Sequence, residues 1–167
     1  MKLDLLPISK AHQKALFDCG YAELNDYLRH YALKNDRLSI GKTFVAVDAE
    51  ECVVGYVTLA SAQIEARRLP EVLHSKLPRY PVPAFRIAQL AVDTRFQKAG
   101  VGAWLLRQSL EKALSVSTEI GLYAVIVDAI DEKAKGFYLK YGFVAFAEYP
   151  LTLFLPLATI ARAFSGD

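Results

Sequence analysis

Apolar residues recur along the chain at two spacings, one typical of strands and the other of helices. Short apolar runs, some of them rich in β-branched and aromatic residues, predict strands at 2–8, 44–47, 52–59, 85–92, 122–127, 143–146 and 151–155. Helical spacing predicts helices over 21–35, 100–117 and 131–141, and Gly142 is placed to end the last one. The polar residues 48–51 favour a hairpin between the second and third strands. This order predicts an α/β or α+β fold with helices covering one mixed sheet.

The segment 69–83 interrupts this pattern with four prolines, Pro70, Pro78, Pro81 and Pro83. It predicts a loop that holds at most a short helix. Such a loop is either substrate-facing or a plain connection, and the sequence leaves both interpretations open. No role follows from the sequence for the final residues 158–167.

Composition and charge set broad limits on function. The 167 residues fit one domain, and a hydrophobic content of 53% suits a well-filled core. The net charge of +2 decides neither for nor against a nucleic-acid partner. Local clusters such as Arg67–Arg68 are either solvated surface charge or part of a basic patch.

Cysteine and histidine usage indicates the compartment and argues against a metal. Cys19 and Cys52 are too few for a disulfide framework and fit a reducing compartment. His12, His30 and His74 have no ligand-like neighbours, so we expect no metal site. The N-terminus lacks a signal-peptide pattern, and no apolar run approaches the ~20 residues that cross a bilayer. We therefore expect a soluble, cytoplasmic protein with no membrane contact.

The stretch from Leu90 to Ala103 carries the clearest chemical signal: a buried strand, a short loop, and two glycines at the start of an amphipathic helix. The first N–H groups of a helix lack intrahelical partners and lie at the positive end of its dipole. Gly100 and Gly102 let a phosphate approach them, and Lys98 adds positive charge. The spacing matches neither the dinucleotide fingerprint nor a phosphate loop ending in Gly-Lys-Ser/Thr. By themselves, the glycines are equally explained by close helix–strand packing.

Two blocks together resemble the GNAT (Gcn5-related) N-acetyltransferase superfamily. Gln97-x-x-Gly100-x-Gly102 resembles its pyrophosphate motif, with Ala99 where many members have glycine. Ala134-x-x-x-Tyr138-x-x-x-Gly142-Phe143 resembles its last-helix signature. The resemblance implies one acetyltransferase domain over 1–157, with a mostly antiparallel twisted sheet of six to seven strands and about four flanking helices. It also implies that acetyl-CoA is the cosubstrate, held by Leu90, Ala91, Val92, Gln97, Lys98, Ala99, Gly100, Val101, Gly102, Ala103 and Phe137.

The same resemblance implies a direct transfer in which Tyr138 is the general acid. Tyrosine, with a pKa near 10, is protonated at pH 7 and can donate to a departing thiolate. A backbone N–H near Val92 would stabilise the developing oxyanion. Without the family, a tyrosine packed in the core is the plainer explanation of Tyr138. No general base stands out, because Asp93, Asp128 and Glu132 fit turns or helix caps.

An N-terminal block narrows the family. Phe17-Asp-Cys19-Gly20 followed by residues 21–28 resembles GNAT toxins of bacterial type II toxin–antitoxin modules, of the TacT and AtaT type. This resemblance implies acetylation of the α-amino group of aminoacyl-tRNA, which blocks translation, together with a ribbon-helix-helix antitoxin and a homodimer. Candidate tRNA-binding residues are Arg67, Arg68, Lys76, Arg79, Arg86, Lys98 and Lys133. The alternatives are a GNAT acting on a small-molecule or protein amine, and an idle GNAT fold serving as a binding module.

Overall fold

The computed structural model describes residues 1–166, which form a mixed α/β fold around a seven-stranded sheet. The strand order is β1-β2-β3-β4-β5-β7-β6. The strands are β1 (Asp4–Pro7), β2 (Lys42–Val47), β3 (Val53–Ile64), β4 (Val82–Val92), β5 (Ala124–Asp128), β6 (Val144–Ala145) and β7 (Thr152–Pro156). The helices are α1 (Ala22–Asp26), α2 (Ala32–Arg37), α3 (Glu71–His74), α4 (Val101–Ser117), α5 (Glu132–Lys140) and α6 (Leu157–Ser165). The predicted fold class is confirmed.

The chain is divided into two compact units. The first unit, residues 1–60 and 88–109, contains β1, β2 and most of the β2–β3 hairpin. β1–β2 and β2–β3 pair antiparallel, which confirms the predicted hairpin. Its turn is closed by the Asp48 carboxylate, which accepts hydrogen bonds from the N–H groups of Glu50 (3.0 Å) and Cys52 (2.9 Å). The core of this unit is built around the fully buried side chains of Phe17, Leu28 and Tyr56.

The predicted helix over 21–35 is present but is interrupted by a π-helical turn. α1 runs into π-helical residues Tyr27–Tyr31, and α2 follows. The Ala32 N–H bonds to the Tyr27 carbonyl, five residues back, instead of four. A π turn adds one residue to a helical turn and so rotates the side chains that follow it.

The second unit, residues 61–87 and 110–167, contains the parallel pair of the sheet. β4 pairs parallel with β5 from Ala84 to Ile87, and β5 pairs antiparallel with β7. The proline-rich segment 69–83 holds the four-residue α3, as predicted for a loop with at most a short helix, and a 3-10 turn (Ala66–Arg68) precedes it. The core of the second unit includes Val82, Ile126 and Phe154.

The chain after 157 forms a helix for which the sequence indicated no role. Leu157 and Ile160 of α6 are buried, and Gly166 ends the helix with a left-handed φ of 81°. Asp167 lies outside the described residues.

Candidate active site

The loop of residues 97–100 joins a 3-10 turn, Thr94–Phe96, to α4. Its backbone is left-handed at Lys98 (φ 65°) and at Gly100 (φ 85°). The first bond of α4 is donated by the Trp104 N–H to the Gly100 carbonyl at 3.0 Å, so the N–H groups of residues 101–103 precede the helical ladder. A Cβ placed on Gly100 would meet no atom within 4 Å. The loop therefore offers helix-start donors with an open approach, as an anion site requires.

The side chain of Gln97 braces this loop. Its Nε2 donates to the Val92 carbonyl (2.9 Å), at the end of β4, and to the Cys19 carbonyl (3.1 Å). Both amide hydrogens are thus used within the protein, and Oε1 remains as the group that can meet a ligand. This geometry gives the motif glutamine a positioning role that its place in the sequence does not reveal.

The N-terminal block 17–25 is tied to the same strand end by main-chain contacts. The buried Asp93 carboxylate accepts from the Asp18 N–H (3.1 Å), and the Thr94 N–H donates to the Asp18 carbonyl (2.8 Å). The Asn25 side chain accepts from the Cys19 N–H at 2.8 Å and donates to the Asp18 carboxylate at 2.9 Å. The N-terminal block, which resembles the corresponding segment of the toxins, therefore also holds the loop after β4 in place.

Asp93 is the hub of this network and is held ionised. Its burial opposes ionisation, but hydrogen bonds from the Arg95 side chain and main chain and from the Asp18 N–H outweigh it and lower the pKa of the carboxyl. Arg95 contributes Nε at 2.9 Å and a second guanidinium nitrogen at 3.0 Å. Asp93 is thus a structural turn residue, as its position in the sequence suggested.

Close packing sets the position of α4 against β3. A Cβ added to Gly55 would lie 2.9 Å from both the Ala91 carbonyl oxygen and Leu105 Cδ1. Leu90, Ala91 and Val92 form the last residues of β4, with Ala91 buried and its neighbours half-buried. Gly102 and Ala103 lie half-buried in the first turn of α4, while Ala99 is exposed in the loop.

In the second unit, Tyr138 lies on α5. The residues that begin and end this helix could be predicted from the sequence. Asp131 caps the N-terminus by accepting from the Ala134 N–H at 2.8 Å, and Gly142 follows the helix with a φ of 92°. The Tyr138 ring is buried and packs edge-on with Phe137 and Phe143, at centroid distances of 5.2 and 5.4 Å. Burial raises the pKa of its hydroxyl, so Tyr138 is protonated at neutral pH.

The predicted tRNA-binding residues of the second unit differ in their surroundings. Arg67 and Arg79 line one cavity of about 480 Å³ together with His74. Arg67 forms an ion pair with Glu65 (2.7 Å), and Arg68 lies over the Tyr149 ring at 4.8 Å.

The remaining candidates are spread over the same unit. Lys76 and Lys133 are exposed. Arg86 forms an ion pair with Asp128, whose other oxygen accepts from the Thr152 hydroxyl at 2.8 Å. Arg67 and Arg86 therefore each have a carboxylate partner, Glu65 and Asp128 respectively, which already matches their charge.

The structure adds a basic cavity that was not predicted from the sequence. In the first unit, a cavity of about 460 Å³ is lined by Lys14, Arg29, His30, Leu33, Lys34, Arg37 and Leu38, with no carboxylate among them. Burial and the nearby Arg37 lower the pKa of Lys14, as expected where cations gather without counter-charge. We call these residues the helical basic cavity. The spacing of 30, 34 and 37 was its readable signal, whereas the approach of Lys14 depends on tertiary structure.

Neither a metal centre nor a membrane-spanning helix is found in the part of the chain that the structure describes. Residues 1–166 include no group of three or more His, Cys, Asp or Glu side chains placed to hold a metal ion. No helix within that range is long and apolar enough to cross a membrane.

Comparison with known proteins establishes the class. The model of the acetyltransferase (GNAT) domain family matches residues 39–145, and the chain belongs to this family. It is an acetyl-CoA-dependent acetyltransferase. More particularly, it is 35% identical over 160 residues to the tRNA-acetylating toxin of Mycobacterium tuberculosis. The aligned residues cover 96% of this chain and 95% of that protein.

Solved structures of toxins share the fold over nearly the whole chain. AtaT complexed with acetyl-methionyl-tRNAfMet has a TM-score of 0.90 and 28% identity, covering 98% of this chain and 99% of that one. AtaTR bound with AcCoA has a TM-score of 0.85 and 29% identity, covering 97% and 98%. A mutant AtaT toxin bound to the C-terminus of the antitoxin AtaR has a TM-score of 0.84 and 26% identity, covering 98% of each chain.

Proposed function

We propose that this protein is a toxin of a type II toxin–antitoxin module that acetylates the α-amino group of aminoacyl-tRNA in the cytoplasm. The observation that carries the choice of acceptor is the helical basic cavity, where four Lys and Arg side chains meet without a lining carboxylate. Such a surface favours a polyanion over a small free amine, because phosphate contacts dominate nucleic-acid affinity. Similarity to tRNA-acetylating toxins supports the same acceptor.

The cosubstrate fits the residues at the start of α4. The N–H groups of residues 101–103 have no partner within the helix, and the approach at Gly100 is open, so this helix start suits a pyrophosphate. Lys98 adds positive charge. We assign the backbone of Leu90–Val92 to the pantetheine arm, and Ala99 and Phe137 to further contacts. When bound, acetyl-CoA supplies an activated acetyl thioester.

Tyr138 is the proposed general acid. The attacking nitrogen forms a C–N bond, the C–S bond breaks, and the phenol donates its proton to the departing sulfur. A buried phenol with a raised pKa keeps its proton until negative charge develops nearby. The same apolar surroundings raise the pKa of the departing thiol, so the proton still passes from the phenol to the sulfur.

The acceptor amine needs no dedicated base under this proposal. An aminoacyl ester amine is less basic than an ordinary α-amino group, whose pKa is about 7.7–8.0, so much of it is neutral at cellular pH. Water carries away the proton that the amine loses on acylation. The transfer is direct, with no covalent enzyme intermediate.

The proposal includes the partners that accompany such toxins. We expect a ribbon-helix-helix antitoxin and a homodimer. The structure of AtaT bound to the C-terminus of the antitoxin AtaR supports an antitoxin partner.

The acceptor is tested by incubating total charged tRNA with acetyl-CoA and the protein, followed by mass spectrometry of the aminoacyl-adenosine ends. We expect acetylated ends with the wild type, and a loss of about 10²–10⁴ in rate with Tyr138→Phe. Tyr141→Phe, at an exposed tyrosine, is the matched control and should act as wild type. Unmodified ends combined with acetylation of free amines would favour the alternative, a GNAT acting on a small-molecule or protein amine.

A further inference from the structure

A second cavity of the first unit lies between the helical segment and β4. It has a volume of about 330 Å³ and is lined by Glu23, Leu24, Asp26, Tyr27, Tyr31 and Gln89. We call it the tyrosine cavity. Its size is at the lower end for small-molecule sites, which suits one aminoacyl group better than a larger ligand.

The aromatic wall of this cavity is fixed in place. The Tyr27 ring stacks with Tyr31 (6.5 Å between centroids) and with Tyr56 (6.4 Å). Tyr56 is fully buried, and its hydroxyl donates to the Leu24 carbonyl at 2.7 Å. The π-helical turn contains both cavity tyrosines, and π turns often occur at functional sites. The wall is therefore pre-formed.

Gln89 supplies an unused polar group. Within residues 1–166, its Oε1 is the one buried side-chain oxygen or nitrogen that lacks a hydrogen-bond partner. A buried acceptor without a donor is costly and rare in folded proteins. Gln89 is also one of the residues that line the tyrosine cavity, so a ligand bound there lies beside the residue that carries this unpartnered oxygen.

We propose that the tyrosine cavity receives the aminoacyl end of the acceptor, and that Gln89 Oε1 accepts a hydrogen bond from its α-amino group. The inference rests on the proposed function and names a positioning residue for the acceptor. Gln89 directly precedes the strand residues 90–92 assigned to the pantetheine arm. The bond orients the nitrogen for attack, while the proton it loses leaves through water.

The charge of the cavity narrows the acceptor class further. Glu23 and Asp26 are both exposed on its lining, and His30 lies 3.6 Å from the Asp26 carboxylate. Two exposed carboxylates repel acidic side chains, by roughly fivefold in affinity (about 1 kcal/mol) for each pair about 4 Å apart in water. Neutral and cationic aminoacyl groups are therefore the expected acceptors, in preference to aspartyl and glutamyl groups.

The test compares Gln89→Met with Gln89→Glu, which keeps an acceptor oxygen, and with Gln13→Met at an exposed glutamine as control. Initial rates are measured against charged-tRNA concentration at saturating acetyl-CoA, and the Kd for acetyl-CoA is measured separately. We expect Gln89→Met to raise KM at least tenfold with the acetyl-CoA Kd within twofold, since a missing hydrogen bond of this kind weakens binding by about that factor. Gln89→Glu should stay within about threefold of wild type, and Gln13→Met should match it.

Three outcomes would overturn the inference: an unchanged KM in Gln89→Met, an equal weakening of acetyl-CoA binding, or aspartyl and glutamyl ends that are acetylated as fast as the neutral ones. Circular dichroism and Tm establish that each variant is folded. If the wild type modifies no charged tRNA, the proposed function fails by itself. The same titration with the free amine that it does acetylate then decides Gln89, because the predicted KM increase concerns the amine and not the tRNA.

Discussion

Among single residues, Gln97 links the loop of residues 97–100, our proposed pyrophosphate site, to the rest of its unit through two carbonyls, those of Val92 and Cys19. Gln97→Met keeps the side-chain length and removes both hydrogen bonds. Because the site is exposed and water replaces the donors, we expect a stability loss of only about 1 kcal/mol. The loop becomes less ordered, so the Kd for acetyl-CoA should rise about three- to tenfold, as calorimetry can measure. Gln13→Met is the control, and an unchanged Kd would remove the bracing role.

Asp93 makes stability depend on acid pH. Its pKa is lower in the folded protein than in the unfolded chain, where it is about 3.9, so its contribution is complete above that value. The contribution is lost as pH falls through the folded pKa, because the unfolded state then binds more protons. Asp93→Asn should lower the free energy of unfolding at pH 7 by about 1–3 kcal/mol and flatten its decline below about pH 4. Urea titrations at several pH values measure this. An equally steep decline in the variant would assign the acid sensitivity to other carboxylates.

Residues with local partners could be predicted, whereas those with distant partners could not. Asp131 and Gly142 bound α5 through contacts within a few residues, and the sequence indicates both. The hydrogen bond between the Asp18 N–H and Asp93 joins residues 75 positions apart. Only the folded sheet brings these two together, so the sequence showed the N-terminal block but not what the block holds in place.

For the secondary-structure elements, the contact of β3 with α4 depends on the absence of a side chain at Gly55. Gly55→Ala would bring a Cβ to 2.9 Å from the Ala91 carbonyl and from Leu105, which forces the helix and strand apart. We expect a destabilisation of about 1–3 kcal/mol, measured by chemical denaturation. Gly136→Ala, on α5 with no atom within 4 Å of its added Cβ, is the control and should stabilise by about 0.5–1 kcal/mol. Destabilisation of both variants alike would show that backbone conformation, and not close packing, sets the cost.

Periodicity located the long elements and missed two local features. α4 begins and ends within a residue of its predicted bounds because one apolar face repeats over its length. The π turn at Tyr27–Tyr31 changes the spacing by one residue, which a pattern read at 3.6 residues per turn does not resolve. Leu157, Ile160 and Phe164 have helical spacing, but with only three apolar positions this pattern is too short to assign α6 a role.

At the scale of the whole molecule, a net charge of only +2 conceals the helical basic cavity of the first unit. Acidic residues elsewhere balance the total, so the composition could not reveal a polyanion site.

If the helical basic cavity binds tRNA phosphates, Lys34→Gln with Arg37→Gln should weaken tRNA binding for every sequence alike. The slope of log K against log salt should then become shallower by about one for each phosphate that is no longer neutralised. Arg86→Gln, whose charge is matched by Asp128, is the control and should change the slope little. Equal slopes for all three proteins, measured by filter binding at several salt concentrations, would place the tRNA contacts elsewhere on the protein.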